Sequence, residues 1–166
     1  MVEGPAFYPG LTAAQNLEYY RIQRGIPEKE AVTRVLETVR LTDTGKKKYK
    51  QFSLGMKQRL GLALAIMGRP DLLLLDEPIN GLDPTGIIEF RSIIKHLQQQ
   101  QGMTVLISSH ILAELSQVAT NFGIIHNGRL VKEFSQEQLQ TDTRRCVALR
   151  VDDSGRAATV LQEQMH

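Results

Sequence analysis

The sequence is poor in cysteine, lacks tryptophan and has no long apolar run, and two of these absences narrow its class. Its 166 residues include one cysteine, Cys146, so an internal disulfide cannot form and a reducing compartment is expected. The most apolar stretches, residues 60–67 and 72–75, fall far short of the ~20 residues that cross a bilayer. The first residues also lack the basic and apolar regions of a secretion signal. The sequence therefore predicts neither a disulfide scaffold nor a membrane-spanning segment.

The composition is that of an ordinary soluble domain. Hydrophobic residues make up 42% of the chain and charged residues 23%, which allows a sizeable core. The net charge of +2 is too small to indicate nucleic-acid binding by itself. We expect one domain, or one domain with a small appendage, and no nucleic acid as a partner.

Hydrophobic periodicity predicts alternating helices and strands. Residues 72–75 and 104–108 are short apolar runs, which predict parallel strands buried on both faces. Asn127-Gly128 predicts the turn of a β-hairpin over residues 122–134, and Ser135 with Gln138 predicts a capped helix after it. A half-buried strand at 147–151 and a helix at 156–164 would follow a polar linker. The other predicted helices span about 13–24, 28–39, 53–67, 84–101 and 112–119. Together these elements predict an open α/β sheet.

Two carboxylates, Asp76 and Glu77, directly follow the strand at residues 72–75. Open α/β sheets bind ligands at the carboxyl ends of their strands. Asp76 could hold Mg²⁺ beside a nucleotide, and Glu77 could accept a proton from an attacking water. Two solvated acids at a strand end are the alternative interpretation of this segment.

Ser53 and Gly55 stand at the start of an apolar helix. Free backbone N–H groups and the helix dipole favour a phosphate there, and Gly55 allows close approach to the backbone. For these two residues alone, an ordinary helix cap is the simpler interpretation.

Four segments in order make a more specific pattern. They are Ser53-Leu54-Gly55-Met56-Lys57-Gln58-Arg59, the strand ending in Asp76-Glu77-Pro78, Asn80-Gly81-Leu82-Asp83-Pro84, and Ser108-Ser109-His110. This combination resembles the ATP-binding cassette (ABC) family. In that resemblance the segments are a variant signature motif, the Walker B strand with its catalytic glutamate, the D-loop, and the switch histidine.

The N-terminal residues also resemble this family. Glu3 stands in the Q-loop position where most members have glutamine, a form that is similar to the bacitracin or lantibiotic efflux branch. The resemblance implies catalytic roles for Glu77 and His110 and a Mg²⁺ ligand at Asp76. It implies nucleotide contacts for Ser53, Leu54, Gly55, Met56, Gln58, Asp83 and Glu3.

A P-loop, Gly-x-x-x-x-Gly-Lys-Ser/Thr, is not found in the sequence. The Gly45-Lys46 pair has Arg40 in place of the first glycine and Lys47 in place of the hydroxyl residue. In the family the P-loop lies upstream of the Q-loop. We therefore expect the P-loop, the first strands and the aromatic residue that stacks on adenine to lie outside this sequence.

The predicted fold is a partial P-loop NTPase fold of the ABC ATPase type, with a helical subdomain and half of the parallel-sheet core. Its predicted parts are residues 1–68 with the Q-loop and signature motif, 69–135 with the nucleotide-binding core, and 136–166 as the start of a C-terminal extension. The resemblance implies ATP and Mg²⁺ as cofactors. It also implies a membrane-spanning transporter subunit and a second ATPase copy, arranged head to tail, as partners. The location implied is the cytoplasmic face of the plasma membrane.

Two other functions stay open at this point. The parent protein could be a soluble cassette ATPase that acts on ribosomes or DNA, or this chain could be an interaction fragment without catalysis. Several features favour a structural interpretation instead of a functional one. Lys46–Lys50 is expected to be a solvated face, His96 and His126 surface residues, and Leu60, Leu64 and Met67 core.

Overall fold

The structure, a computed structural model, describes residues 6–142 and divides the chain into two compact units, Met1–Ala119 and Thr120–His166. The first unit contains helices α1 (Ala13–Gln23), α2 (Ala31–Thr38), α3 (Leu54–Ile66), α4 (Pro84–Gln101) and α5 (Leu112–Leu115), with strands β1 (Leu72–Asp76) and β2 (Thr104–Ser108). The second contains β3 (Asn121–His126), β4 (Arg129–Ser135) and α6 (Gln136–Asp142). The predicted boundaries at 68 and 135 stay a prediction.

Local capping explains why α1 begins where the sequence predicts. The Thr12 hydroxyl accepts from the Gln15 N–H at 3.2 Å, and the Gln15 side chain accepts from the Thr12 N–H at 3.0 Å. This reciprocal capping box satisfies two backbone donors that a helix start leaves unpaired.

Helices α1–α3 enclose a continuous apolar core. Leu17 of α1 and Leu60 of α3 are fully buried, and α2 contributes Val35. The predicted core stripe Leu60, Leu64 and Met67 is confirmed, since all three side chains are buried. Two short 3₁₀ turns, Thr42–Thr44 and Tyr49–Gln51, join α2 to α3.

Strands β1 and β2 pair in parallel, with Leu72 opposite Thr104 and Asp76 opposite Ser108. The parallel pairing is confirmed, but the predicted burial of both faces is wrong. Leu73 and Leu75 join the same buried cluster as α4, whereas Leu74 and Leu106 are 62% and 65% exposed. The reason is that the elements described here cover only one face of the two strands.

Two predicted helices are shorter in the structure. The segment before α2 forms a tight turn in which the Ala31 N–H donates to the Glu28 carbonyl at 3.1 Å, so the helix begins at Ala31 and not near residue 28. Helix α5 ends at Leu115 instead of near residue 119: the N–H groups of Gln117 and Val118 donate to carbonyls three residues back, at 3.4 Å to Glu114 and at 2.9 Å to Leu115. Both differences lie in the first or last turn of a helix.

The second unit is built on an antiparallel hairpin, as predicted. Asn127 and Gly128 have φ values of 48° and 72°, the pair of left-handed residues that a two-residue hairpin turn requires. Phe122 and Phe134 stack at 5.3 Å between ring centroids. The predicted cap before α6 is confirmed by the Gln138 side chain, which accepts from the Ser135 N–H at 2.9 Å.

Several predictions fall outside the described residues. They are the Q-loop at Glu3, the strand at 147–151, the helix at 156–164 and the cysteine at position 146. Within residues 6–142, no helix combines the length and the apolar character that crossing a bilayer requires.

Candidate functional site

The carboxyl ends of β1 and β2 bring four polar residues together. The Ser108 hydroxyl donates to Asp76 Oδ1 at 2.5 Å and accepts from the Glu77 N–H at 3.0 Å. His110 follows β2 by two residues and reaches Glu77 from the other strand. We call Asp76, Glu77, Ser108 and His110 the strand-end cluster.

Ser108 is a member of this cluster that the sequence analysis left without a role. Its position was the signal that the sequence offered: a hydroxyl residue ends β2, and β2 pairs with β1, the strand that ends in Asp76. Its single oxygen fixes the carboxylate of Asp76 and the backbone of Glu77 at the same time.

Glu77 turns sharply out of the strand. Its φ of 44° lies in the left-handed region, which costs a residue with a Cβ roughly 1–2 kcal/mol. Strained backbone of this kind persists where the surrounding structure holds it, often at functional sites. Here the hydrogen bond from the Glu77 N–H to Ser108 supplies part of that support.

The Glu77 carboxylate and the His110 ring form a partly exposed pair. His110 Nδ1 lies 3.0 Å from both carboxylate oxygens. The side chains are 35% and 63% exposed, so solvent or a ligand can reach both. An ionised carboxylate only accepts hydrogen bonds, which places the proton on Nδ1. In the neutral ring, Nε2 then carries the free lone pair.

The predicted signature segment, residues 53–59, begins at the N-cap of α3 and continues into its second turn. Ser53 is the N-cap, and its hydroxyl accepts from the Met56 N–H at 3.3 Å. Leu54 is 49% exposed. Lys47 Nζ lies 3.7 Å from Met56 Sδ, which places a cation beside this turn.

The signature segment packs against the predicted D-loop of the same chain. The Gln58 amide donates to the Asn80 carbonyl at 3.2 Å. A Cβ added at Gly81 would lie 3.1 Å from a methyl carbon of Leu54, and one added at Gly55 would lie 3.5 Å from Leu82. Asp83 caps α4, because its Oδ1 accepts from the Gly86 N–H at 3.0 Å.

The predicted site residues thus fall into two groups. Asp76, Glu77 and His110 share the strand-end cluster, whereas Ser53, Leu54, Gly55, Met56, Gln58 and Asp83 lie around the start of α3 and the loop before α4. In the described part of the chain, no hydrogen bond joins Ser53 to the strand-end cluster. Glu3 lies outside the described residues.

The strand-end cluster suits Mg²⁺ in the presence of a nucleotide. Residues 6–142 contain no group of three or more His, Cys, Asp or Glu side chains that could hold a metal by themselves. Asp76 is exposed, and among the described residues only its Oδ1 is engaged, by Ser108. Mg²⁺ commonly takes one or two carboxylates, several waters and phosphate oxygens, a set that needs little more from the protein than Asp76 offers.

Comparison with known proteins gives consistent results. The family model described as ABC transporter matches residues 1–80. An uncharacterized ABC transporter ATP-binding protein, YcbN of Bacillus subtilis (strain 168), is 46% identical over 165 residues, which are 99% of this chain and 54% of that protein. The bacitracin transport ATP-binding protein BcrA of Enterococcus faecalis is 44% identical over 166 residues, with the same 54% coverage. The lantibiotic transport ATP-binding protein SrtF of Streptococcus pyogenes is 44% identical over 133 residues, 80% of this chain and 57% of that protein.

The chain therefore spans about half the length of the curated relatives that it matches. Among solved structures, the ADP conformation of MJ1267, an ATP-binding cassette of an ABC transporter, superposes with a TM-score of 0.70 at 24% identity. The superposition covers 80% of this chain and 59% of the MJ1267 chain. The predicted fold, part of an ABC ATPase cassette with a parallel sheet, is confirmed.

Proposed function

The chain belongs to the family of ABC transporter ATP-binding proteins, and on that premise we propose that it is part of a subunit that binds and hydrolyses ATP to drive export of an antibiotic or peptide. The observation that carries the proposal is the strand-end cluster, in which a carboxylate and a histidine from neighbouring parallel strands meet at 3.0 Å. The relatives named for bacitracin and lantibiotic transport support the class of cargo.

We assign the chemical steps to the strand-end cluster. Glu77 is the general base that takes a proton from the water attacking the γ-phosphate. His110 accepts a hydrogen bond at Nε2 from that water, or donates one to the phosphate when protonated, while Nδ1 stays bound to Glu77. Asp76 would hold Mg²⁺, and the ion would supply positive charge that offsets the charge on the phosphates. Ser108 holds the Asp76 carboxylate and the Glu77 backbone in place through the two hydrogen bonds of its hydroxyl.

The remaining parts of a complete ATP site would come from other segments. We propose that a P-loop outside this sequence binds the phosphates, and that a second copy docks head to tail so that Ser53 and Gly55 face the nucleotide of that copy. The α3 start can receive a phosphate through its N–H groups and dipole. The helical region α1–α3 would contact the membrane-spanning subunit, which places the protein at the cytoplasmic face of the membrane.

The 166-residue chain alone should bind ATP·Mg²⁺ poorly. Asp76 and Glu77 bring only negative charge, and a helix-end contact with an anion contributes typically ~0.3–1 kcal/mol. Micromolar affinity requires about 8 kcal/mol. Isothermal titration of the purified chain with ATP and Mg²⁺ tests this. A micromolar dissociation constant that is abolished by Asp76→Asn would contradict the division of the site proposed above.

The hydrolytic role is tested in a subunit that carries both a P-loop and this sequence. His110→Ala should lower turnover much more than it lowers ATP affinity, because His110 acts on the reacting groups. His96→Ala is the matched control, since His96 is an exposed histidine on α4. Unchanged turnover in His110→Ala, or an equal loss in both variants, would remove the proposed role of the histidine.

A further inference from the structure

The contact between Leu54 and Gly81 has a role in the structure that neither motif explains by itself. Leu54 is half exposed, yet it packs closely on Gly81. A Cβ added at Gly81 would lie 3.1 Å from a methyl carbon of Leu54. Gly81 has a φ of 74°, so its backbone already favours glycine. The absence of a side chain at Gly81 thus serves both the turn and the close approach of Leu54.

The loop that contains Gly81 begins at Glu77. The Asn80 N–H donates to the Glu77 carbonyl at 3.1 Å, and the Leu82 N–H donates to the Ile79 carbonyl at 3.2 Å. These two successive turns connect Glu77, whose backbone is left-handed, to Asp83 at the start of α4. A displacement of the loop at Gly81 therefore acts on the backbone of Glu77 through these two hydrogen-bonded turns.

Two further contacts tie α3 to the same loop. Gln58 donates to the Asn80 carbonyl, and Leu82 lies beside Gly55. Arg59, the next residue of α3, lies 3.4 Å from Glu89 of α4. The start of α3 is thus joined to the loop by three contacts and to α4 by a fourth, and Leu54, the first residue of α3, makes one of them.

We propose that Leu54 is a positioning residue that holds the loop at Gly81 and, through that loop, the backbone of Glu77. This inference rests on the proposed ATPase function. It gives Leu54 a task within its own chain in place of the nucleotide contact that the family resemblance implies. Because Leu54 acts through Glu77, its loss changes the rate of the chemical step and leaves ATP binding as it was.

The kinetic test uses a subunit that carries a P-loop and this sequence. Leu54→Ala should lower kcat several-fold with an unchanged KM for ATP, and Leu54→Met, which can still reach Gly81, should restore most of the rate. Leu130→Ala is the matched control. Leu130 is an exposed leucine that packs on a glycine in the same way, 3.0 Å from a Cβ added at Gly123, but in the second unit. It should leave kcat unchanged.

The contact itself is tested in the 166-residue chain by a double-mutant cycle on unfolding. Gly81→Ala should destabilise the chain, and the loss should be smaller when Leu54→Ala has removed the methyl group that the new Cβ meets. Additive effects in this cycle would overturn the contact. An unchanged kcat in Leu54→Ala, a raised KM, or an equal loss in Leu130→Ala would overturn the positioning role. If the unsubstituted subunit hydrolyses no ATP, the proposed function fails instead, and the inference about turnover fails with it.

Discussion

The helical region α1–α3 and the strand pair β1–β2 use their leucines in opposite ways. In the helical region Leu17 and Leu60 are fully buried, whereas Leu74 and Leu106 on the strand pair are more than half exposed. Among the described residues, the helical region therefore buries its leucines, whereas the strand pair is packed on one face only.

The polar residues show the reverse distribution. Asn16 of the helical region is fully buried, with both ends of its amide bonded to backbone groups. Around the strand pair, Asp76 and His110 are exposed, and each keeps an atom without a hydrogen bond to the rest of residues 6–142. Buried and satisfied polar groups stabilise a fold, whereas exposed groups that converge can act on a ligand. The comparison thus separates a stabilising region from a reactive one.

The largest effect should come from Glu77 at the reactive end. In a subunit that carries a P-loop, Glu77→Gln should keep ATP binding and lower turnover by roughly 10²–10⁴-fold, the contribution of a general base. The amide keeps the shape of the side chain, so the free energy of unfolding should change little. Steady-state hydrolysis and nucleotide binding would be measured together. Near-normal turnover would contradict the proposed separation of a stabilising region from a reactive one.

The second effect compares one leucine from each region in the 166-residue chain. Leu60→Ala should lower the free energy of unfolding by about 2–5 kcal/mol, because it leaves a cavity in the closed core. Leu74→Ala is the matched control and should change it by less than about 0.5 kcal/mol, since that side chain is exposed. Urea unfolding followed by circular dichroism measures both. Equal losses would mean that the open face of the strands is covered in solution.

Much of the fold could be predicted because its signals are local. Ser135 with Gln138 and Asn127-Gly128 each fix a helix start or a turn through neighbouring residues, and the structure has both. The ABC motifs likewise predicted which residues meet at the strand ends. Parallel strands bring their carboxyl ends to one edge, so Asp76, Glu77 and His110 had to lie near one another.

The features that the sequence did not predict depend on contacts between residues that are distant in sequence. The leucines of β1 predict a strand, but whether both faces are buried depends on which elements lie over them. The left-handed backbone of Glu77 and the double role of Ser108 arise from the pairing of β1 with β2. The buried amide of Asn16 is also invisible in the sequence, because its partner Tyr8 lies in a loop without a periodic pattern.

A third, smaller effect tests whether buried polar groups stabilise the helical region. Asn16→Ala should lower the free energy of unfolding by about 1–3 kcal/mol, since it leaves the Tyr8 N–H without its partner. Thr33→Ala, an exposed change on α2, should stay within about 0.5 kcal/mol. Denaturant unfolding of the two variants gives the comparison. A negligible loss in Asn16→Ala would show that water replaces the amide at no cost.

The smallest effect is a pH dependence carried by Glu18 of the helical region. Arg21 Nε and Nη2 donate to the two Glu18 carboxylate oxygens at 2.7 and 2.8 Å, and these hydrogen bonds lower the pKa of Glu18 below its usual value. The folded state therefore binds this proton less readily than the unfolded state. The resulting stabilisation is fully present above the ordinary glutamate pKa of about 4.3 and is lost as pH falls through the lower folded value.

Glu18→Gln should remove this part of the pH dependence. The unfolding free energy of the unsubstituted chain should exceed that of the variant at pH 7, and the gap should narrow as the solution is acidified through and below the ordinary glutamate pKa. Glu37→Gln is the control: it changes an exposed carboxylate of α2 that forms no ion pair among the described residues, and it should keep the dependence of the unsubstituted chain. The effect should be modest because the Glu18 side chain is 46% exposed to solvent, which screens the pair. A gap that stays constant from neutral to acidic pH would show that the Glu18–Arg21 ion pair adds nothing to the free energy of unfolding. The stability of the helical region would then rest on its apolar core and on Asn16.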